Sequence, residues 1–67
     1  MIKIGGIYRH FKGKMVRVLM IARDSENLTD VVVYIELDDG SIWTRPAAQW
    51  FDRIVRDGVD AQRFTEV

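Results

Sequence analysis

Side chains that could do chemistry concentrate in two short stretches that lie far apart in the chain. Residues 6–13 hold the only histidine, and residues 41–46 join a tryptophan to an arginine and a proline. Guanidinium groups match the paired oxygens of carboxylates and phosphates, while aromatic rings offer stacking area with a polar edge. We therefore predict a pocket for an anion with an aromatic wall. Its candidate binding residues are Tyr8, Arg9, His10, Tyr34, Trp43 and Arg45.

These residues also have a purely structural interpretation. A chain this small needs its large aromatic side chains for its core. The arginines have candidate partners in Asp24, Glu36 and Asp38. A single histidine without a partner motif is more often a hydrogen-bonded structural residue than a general acid or base. An enzyme that uses His10 is therefore the least favoured alternative.

The composition limits how the chain is stabilised and what it binds. At 67 residues it forms one domain, 1–67, and 48% hydrophobic residues indicate a packed globule. It has no cysteine and one histidine, so a disulfide, a thiolate zinc site and a multi-histidine metal site within one subunit are excluded. We expect no metal and no cofactor. Stability must come from apolar packing, and a homodimer is an open possibility.

The charges cancel overall but are unevenly distributed. Ten basic and ten acidic residues argue against a strong nucleic-acid binder, because such proteins use excess positive charge to neutralise phosphates. Residues 1–23 contain six bases and no acid, whereas residues 24–39 contain six acids and no base. Pairing between neighbouring strands is favoured over a field that steers a charged ligand.

The chain lacks the features of a targeted or membrane protein. The first residues have no long apolar core of a signal peptide. The longest uncharged apolar runs, 18–22 and 31–35, are far shorter than the roughly 20 residues of a membrane helix. We therefore expect a cytoplasmic protein with no membrane partner.

Alternating apolar residues and turn signals predict a mainly β fold. Strands are expected at 7–11, 15–23, 31–37, 41–45 and 53–56, with a last short strand through Val59 and again around Arg63-Phe64. In the second strand, Val16, Val18, Met20 and Ala22 are expected to share one face, and apolar residues on its other face predict burial on both sides.

Glycine and proline positions predict how these strands are joined. Asp38-Asp39-Gly40 and Asp57-Gly58 predict tight hairpin turns. Pro46 should end its strand and start a single helical turn, so that Trp50 or Phe51 plugs one end of the sheet. The expected architecture is a small antiparallel SH3-like barrel or curled sheet of about five strands with one short helical turn.

Several motifs resemble those of a family of small, mostly bacterial domains of unknown function. That family opens with Gly-x-Tyr-Arg-His-aromatic-Lys-Gly, which here is residues 6–13, and it continues with an Ala-Arg strand end and a Ser-Glu loop. The later matches are Val32-Val33-Tyr34, Trp43-x-Arg45-Pro46, Phe51, Gly58 and Arg63-Phe64. The resemblance spans residues 5–65 and implies a compact, mainly β domain. It implies no activity.

Four functions follow from these patterns. The leading hypothesis is a non-enzymatic binding module that recognises a small or extended anionic ligand, or a protein segment, through an Arg/His/aromatic face. The second is a single-stranded nucleic-acid contact in which Tyr8 and Phe11 stack on bases. The third is self-association or an adaptor role through Trp50-Phe51. The fourth is the enzyme already mentioned.

Overall fold

The computed structural model describes all residues, 1–67, and shows seven strands and one 3-10 helix. The strands are β1 (Ile7–His10), β2 (Met15–Arg23), β3 (Asp30–Glu36), β4 (Ile42–Pro46), β5 (Arg53–Arg56), β6 (Val59–Gln62) and β7 (Phe64–Glu66), and the helix is Ala47–Gln49. An antiparallel sheet has the order β4-β3-β2-β1-β7, and β5 pairs with β6 in a separate hairpin. The mainly β, antiparallel prediction is confirmed, with seven strands instead of about five.

The five-stranded sheet stays open. Strands β4 and β7 stand at its two edges, and each pairs with a single neighbour within it. The extra strands arise because the chain after Gly58 is divided at Arg63. The backbone N–H of Arg63 donates to the carbonyl of Asp52 at 2.8 Å, and the carbonyl of Arg63 accepts from the Phe11 N–H. The residues before Arg63 therefore pair with β5, and those after it pair with β1. No helix in the fold has the length and apolar character of a membrane span.

The predicted turns form at glycines, which adopt a positive φ without steric strain. Gly40 has φ of 74° in the β3–β4 turn, and Asp57 and Gly58 have φ of 52° and 78° in the β5–β6 turn. Positive φ at both central residues is the geometry of a type I′ hairpin, which Asp-Gly sequences favour. After Pro46, the 3-10 helix delivers Trp50 into the core, as predicted, with no accessible surface left on its side chain.

The core lies on one face of the sheet, which we call the inner face. Its buried residues are Tyr8, Val16, Val18, Val32, Tyr34, Trp50 and Phe64. The Trp50 ring stacks on Phe64 with centroids 3.9 Å apart and planes 8° apart. Tyr8 and Tyr34 meet the Trp50 ring edge-on at 5.5 and 5.2 Å. Aromatic packing therefore supplies much of the stability of this small fold.

A β-bulge changes the face on which the second half of β2 lies. The pairing with β3 shifts between Val18 and Met20, so that Leu19 is an extra residue. Beyond it, Met20 lies opposite Val33 and Ala22 opposite Val31, on the face of the sheet away from the core, which we call the outer face. The prediction that Met20 and Ala22 share a face with Val16 and Val18 was wrong, because strict alternation ignores an inserted residue.

The β2–β3 loop contains a backbone position that its residue does not suit. Leu28 has φ of 60° and is 68% exposed. The left-handed conformation costs roughly 1–2 kcal/mol for a residue with a branched side chain, and Asn tolerates it better. We expect Leu28→Asn to raise the free energy of unfolding by about 1 kcal/mol, measured by urea denaturation. The control is Leu37→Asn, at an exposed leucine with ordinary φ, which should give no gain.

Candidate functional site

One cavity opens on the inner face of the sheet, beside the aromatic core. Its volume is about 290 Å³. Its apolar floor consists of Val16, Tyr34 and Phe64, and its polar wall of His10, Lys12, Lys14, Glu36 and Arg45. Every strand of the five-stranded sheet contributes at least one of these residues. The volume is close to the lower limit of small-ligand sites, about 300 Å³.

The register of the sheet explains which side chains meet at this cavity. His10 pairs with Phe64 across β1 and β7, and Val16 pairs with Glu36 across β2 and β3. Residues directly opposite one another on neighbouring strands project to the same face. Arg45 pairs with the buried Val32, so its side chain starts on the inner face as well.

Three cations line the cavity, and two of them have no carboxylate partner. The exception is Lys14, whose Nζ lies 3.5 Å from Glu36 and 3.2 Å from Asp38, and hydrogen bonding to Asp38 raises the pKa of Lys14. Lys12 and Arg45 have no carboxylate within 4 Å, and Arg45 donates only a long bond of 3.4 Å to Gln49. The Arg45 Nε atom is buried without an acceptor. The cavity therefore presents positive charge that no ion pair neutralises, while Arg45 adds to the effect of the Arg63 hydrogen bond in lowering the pKa of Asp52.

His10 is held as a neutral ring at the cavity wall. Its Nδ1 accepts a hydrogen bond from the Lys12 backbone N–H at 3.2 Å, which leaves the proton on Nε2. The ring packs against Phe11 and Phe64 at centroid distances of 4.6 and 5.0 Å. Partial burial, followed by the positive charges of Arg63, Arg45 and Lys12, lowers the pKa of His10 below its ordinary 6.5.

This lowered pKa makes the fold sensitive to mild acid. Because the folded protein favours neutral His10, the unfolded chain binds the proton more readily. The contribution of His10 to stability is therefore fully present above its ordinary pKa of 6.5 and is lost as pH falls through the lower pKa of the folded state. We expect His10→Gln to lose less stability than the original protein when urea denaturation is repeated across this range. An NMR titration midpoint at or above 6.5 for His10 would contradict this.

The structure separates the six predicted binding residues into two groups. His10, Tyr34 and Arg45 line the cavity. Tyr8 is fully buried, and its hydroxyl accepts from the Lys3 N–H at 3.0 Å. Arg9 follows Tyr8 in β1, so its side chain projects to the outer face of the sheet. The Arg45 side chain starts on the inner face. Trp43 is half-exposed outside the cavity, and its indole N–H donates to Ser41 Oγ at 2.7 Å.

Several cavity residues were missing from the sequence prediction. They are Lys12, Lys14, Val16, Glu36 and Phe64. Signals for two of them were present. Lys12 follows His10 in the turn, and Glu36 lies two residues after Tyr34, on the same strand face. Phe64 could not be placed without knowing that β7 pairs with β1.

Two of the alternative functions retain only part of the surface that the sequence suggested for them. Tyr8 has no exposed ring face on which a nucleic-acid base could stack, whereas Phe11 is partly exposed. Trp50 is a core residue, whereas its neighbour Phe51 is 38% exposed. The uneven charges are partly paired between strands, as expected, through Lys14 with Glu36 and Arg23 with Asp30 at 3.5 and 3.3 Å.

The fold and cavity define a class: a small mainly β domain with a partly cationic pocket on one sheet face. Comparison with known proteins identifies the family. The model of the family described as "Protein of unknown function (DUF1653)" matches residues 6–66, so the chain belongs to that family. This confirms a family of unknown function over nearly the range of the resemblance. A search of curated proteins gave no match.

A solved structure shows the same architecture. It is the crystal structure of a DUF1653 protein from Bordetella bronchiseptica, 32% identical in sequence, with a TM-score of 0.80. The alignment covers 94% of this chain and 85% of that one. The fold described above is thus similar to an experimental structure from the same family.

Proposed function

We propose that this protein is a non-enzymatic binding module whose cavity takes a small organic anion with an apolar or aromatic body. The observation that carries the proposal is the pairing of free cations with an apolar floor. Arg45 and Lys12 lack carboxylate partners, and Tyr34 and Phe64 lie beside them. A guanidinium in such a site binds carboxylate or phosphate oxygens through charge-assisted hydrogen bonds. Tyr34 is 9% exposed and Phe64 only 2%, so Tyr34 supplies most of the aromatic contact for the body of the ligand.

The wall of the cavity favours binding over catalysis. His10 is the one side chain there with an ordinary pKa near neutrality, and its Nδ1 is already occupied by the Lys12 N–H. No serine or threonine nucleophile lines the cavity. The proposed ligand is therefore held by charge and shape.

The test compares ligands that share a ring but differ in charge. We expect benzoate and phenyl phosphate to bind, with amide shifts in ¹⁵N NMR spectra concentrated at His10, Tyr34, Arg45 and Phe64. Benzylammonium is the matched cation and should bind far more weakly, because it meets Lys12 and Arg45 with like charge. Added salt should weaken binding of the anions. Equal affinity for benzoate and benzylammonium, or shifts confined to other parts of the chain, would refute the proposal.

A further inference from the structure

A second, smaller cavity adjoins the first one at the β1–β2 turn. It lies between this turn and the β5–β6 hairpin, and we call it the hairpin cavity. Its volume is about 180 Å³. Its lining residues are Phe11, Lys12, Ile54, Arg56, Asp57 and Val59. Because Lys12 lines both cavities, a ligand in one reaches the other by passing along a single side chain.

The backbone around the β1–β2 turn holds the two cavities side by side. The His10 ring, which lines the first cavity, lies 4.6 Å from the Phe11 ring, which lines the hairpin cavity. Gly13, with φ of 103°, closes the turn by donating its N–H to the His10 carbonyl at 2.7 Å. The Phe11 N–H donates to the carbonyl of Arg63 at 2.9 Å, which joins the turn to the end of the hairpin.

The cations that lack a partner gather at these two cavities. Of the ten Lys and Arg residues, five form ion pairs, and Arg17 donates to the Gly5 carbonyl at 2.8 Å. The remaining four have no carboxylate within 4 Å and no bond to a backbone carbonyl, and they are Arg9, Lys12, Arg45 and Arg56. All of these except Arg9 line the two cavities.

The combined lining is positively charged, although the chain is neutral overall. The two cavities together have four cations and two carboxylates, and His10 is neutral, which leaves an excess of two positive charges. One carboxylate is Glu36, which is engaged with Lys14 at 3.5 Å. The other is Asp57, in the hairpin turn. A ligand with two negative charges would balance this lining.

We infer that the ligand of this module carries two anionic groups joined by an apolar body, one bound by Arg45 in the first cavity and the other by Arg56 in the hairpin cavity. This inference rests on the proposed function. Each guanidinium binds a carboxylate or phosphate through charge-assisted hydrogen bonds, and Lys12 lies between the two sites. Phe11, Ile54 and Val59 offer apolar surface to the body of the ligand.

The volumes of the cavities agree with a ligand that spans both. The first cavity alone, at about 290 Å³, is at the lower limit of small-ligand sites. Together with the hairpin cavity it lies within their range, about 300–1,000 Å³. A ligand with a single anionic end would leave Arg56 without a partner.

Isothermal titration calorimetry with a graded set of benzoates tests this inference. Each compound carries an alkyl chain at the para position, and the chain ends in a carboxylate, a methyl group or an ammonium group. At the chain length that fits best, the carboxylate-ended compound should bind about fivefold more tightly than its methyl-ended counterpart, the upper end for one exposed ion pair. The ammonium-ended compound should bind most weakly, because it meets Lys12 and Arg56 with like charge.

Three variants locate the second anionic group. Arg56→Met should abolish the fivefold gain and leave the affinity for the methyl-ended compound unchanged. Arg53→Met removes the same charge from the same strand, outside both cavities, and should retain the gain. Asp57→Asn removes the acid of the hairpin cavity and should enlarge the gain. Asn-Gly suits a type I′ turn as well as Asp-Gly does, so the hairpin stays formed. Thermal melts establish that each variant is folded.

Unsubstituted benzoate separates a failure of this inference from a failure of the proposed function. If benzoate binds but no carboxylate-ended compound exceeds its methyl-ended counterpart at any length, the hairpin cavity holds no second anion and only this inference is overturned. A gain that persists in Arg56→Met also overturns it, because the second charge then lies elsewhere. If neither benzoate nor any carboxylate-ended compound binds, the proposed function is refuted and this inference with it.

Discussion

Replacing Trp50 by alanine is expected to unfold most of the protein at room temperature. Removing a fully buried Trp side chain costs about 3–5 kcal/mol. A single core in a chain of this length supplies about that much in total. The side chain also holds the stacked contact with Phe64 and the edge contacts with Tyr8 and Tyr34, all of which are lost together. Loss of dispersed amide signals in a ¹⁵N NMR spectrum, with loss of near-ultraviolet circular dichroism, measures the effect.

Two variants separate packing from other causes. Phe51→Ala changes the adjacent aromatic residue, which is partly exposed, and should cost far less stability. Trp50→Phe keeps an aromatic ring in the core and removes the indole N–H, which is buried without an acceptor. It should therefore be much milder than Trp50→Ala. A well-folded Trp50→Ala protein would mean that the aromatic cluster is not the centre of stability.

Replacing Arg45 by methionine is expected to reduce the affinity for benzoate and phenyl phosphate by about 10- to 100-fold. A hydrogen bond to a charged group contributes about 1.5–3 kcal/mol, and each 1.4 kcal/mol is a factor of ten in affinity. Methionine keeps much of the volume of the side chain, so the inner face should remain packed. The fold should lose little, because Arg45 has no carboxylate partner and its Nε has no acceptor. Isothermal titration calorimetry, with thermal melts of the same samples, measures both quantities.

Arg9→Met is the matched control, since it removes the same charge from the outer face. Screening makes a distant charge weak at ordinary salt, so its affinity should change little. Arg45→Lys keeps the charge but loses the planar guanidinium, so its affinity for the anions should lie between those of Arg9→Met and Arg45→Met. If Arg9→Met and Arg45→Met weaken binding equally, net charge and not the cavity controls the affinity. If Arg45→Met loses binding and melting temperature in proportion, Arg45 is structural.

Local rules predicted the strands and turns, because these depend on neighbouring residues. Met15–Arg23 and Arg53–Arg56 have the predicted bounds, and Gly40 and Gly58 take the positive φ expected of them. The bulge at Leu19 escaped prediction because residues 18–22 are all apolar. When both faces read alike, the pattern does not show where alternation shifts.

The site was only partly predictable, because it depends on which distant strands pair. Alternation placed Tyr8 and His10 on the same face of β1. It could not show that Trp50 covers Tyr8 while His10 stays at the cavity. The separation of Arg9 from Arg45 follows from the register, because Arg45 lies opposite the buried Val32 whereas Arg9 alternates with the buried Tyr8. Residue type suggested the chemistry, and the order of strands decided which side chains share it.

The β5–β6 hairpin is expected to unfold separately from the five-stranded sheet. Its strands pair only with each other, and Ile54 and the Asp52–Arg63 ion pair, with N–O distance 2.6 Å, help to tie it to the body. A hairpin of this kind can open locally, at a lower free energy than unfolding of the whole protein. Its amide hydrogens should then exchange with deuterium sooner than those of β2 and β3. The cavity, built on the sheet, would keep its shape during these excursions.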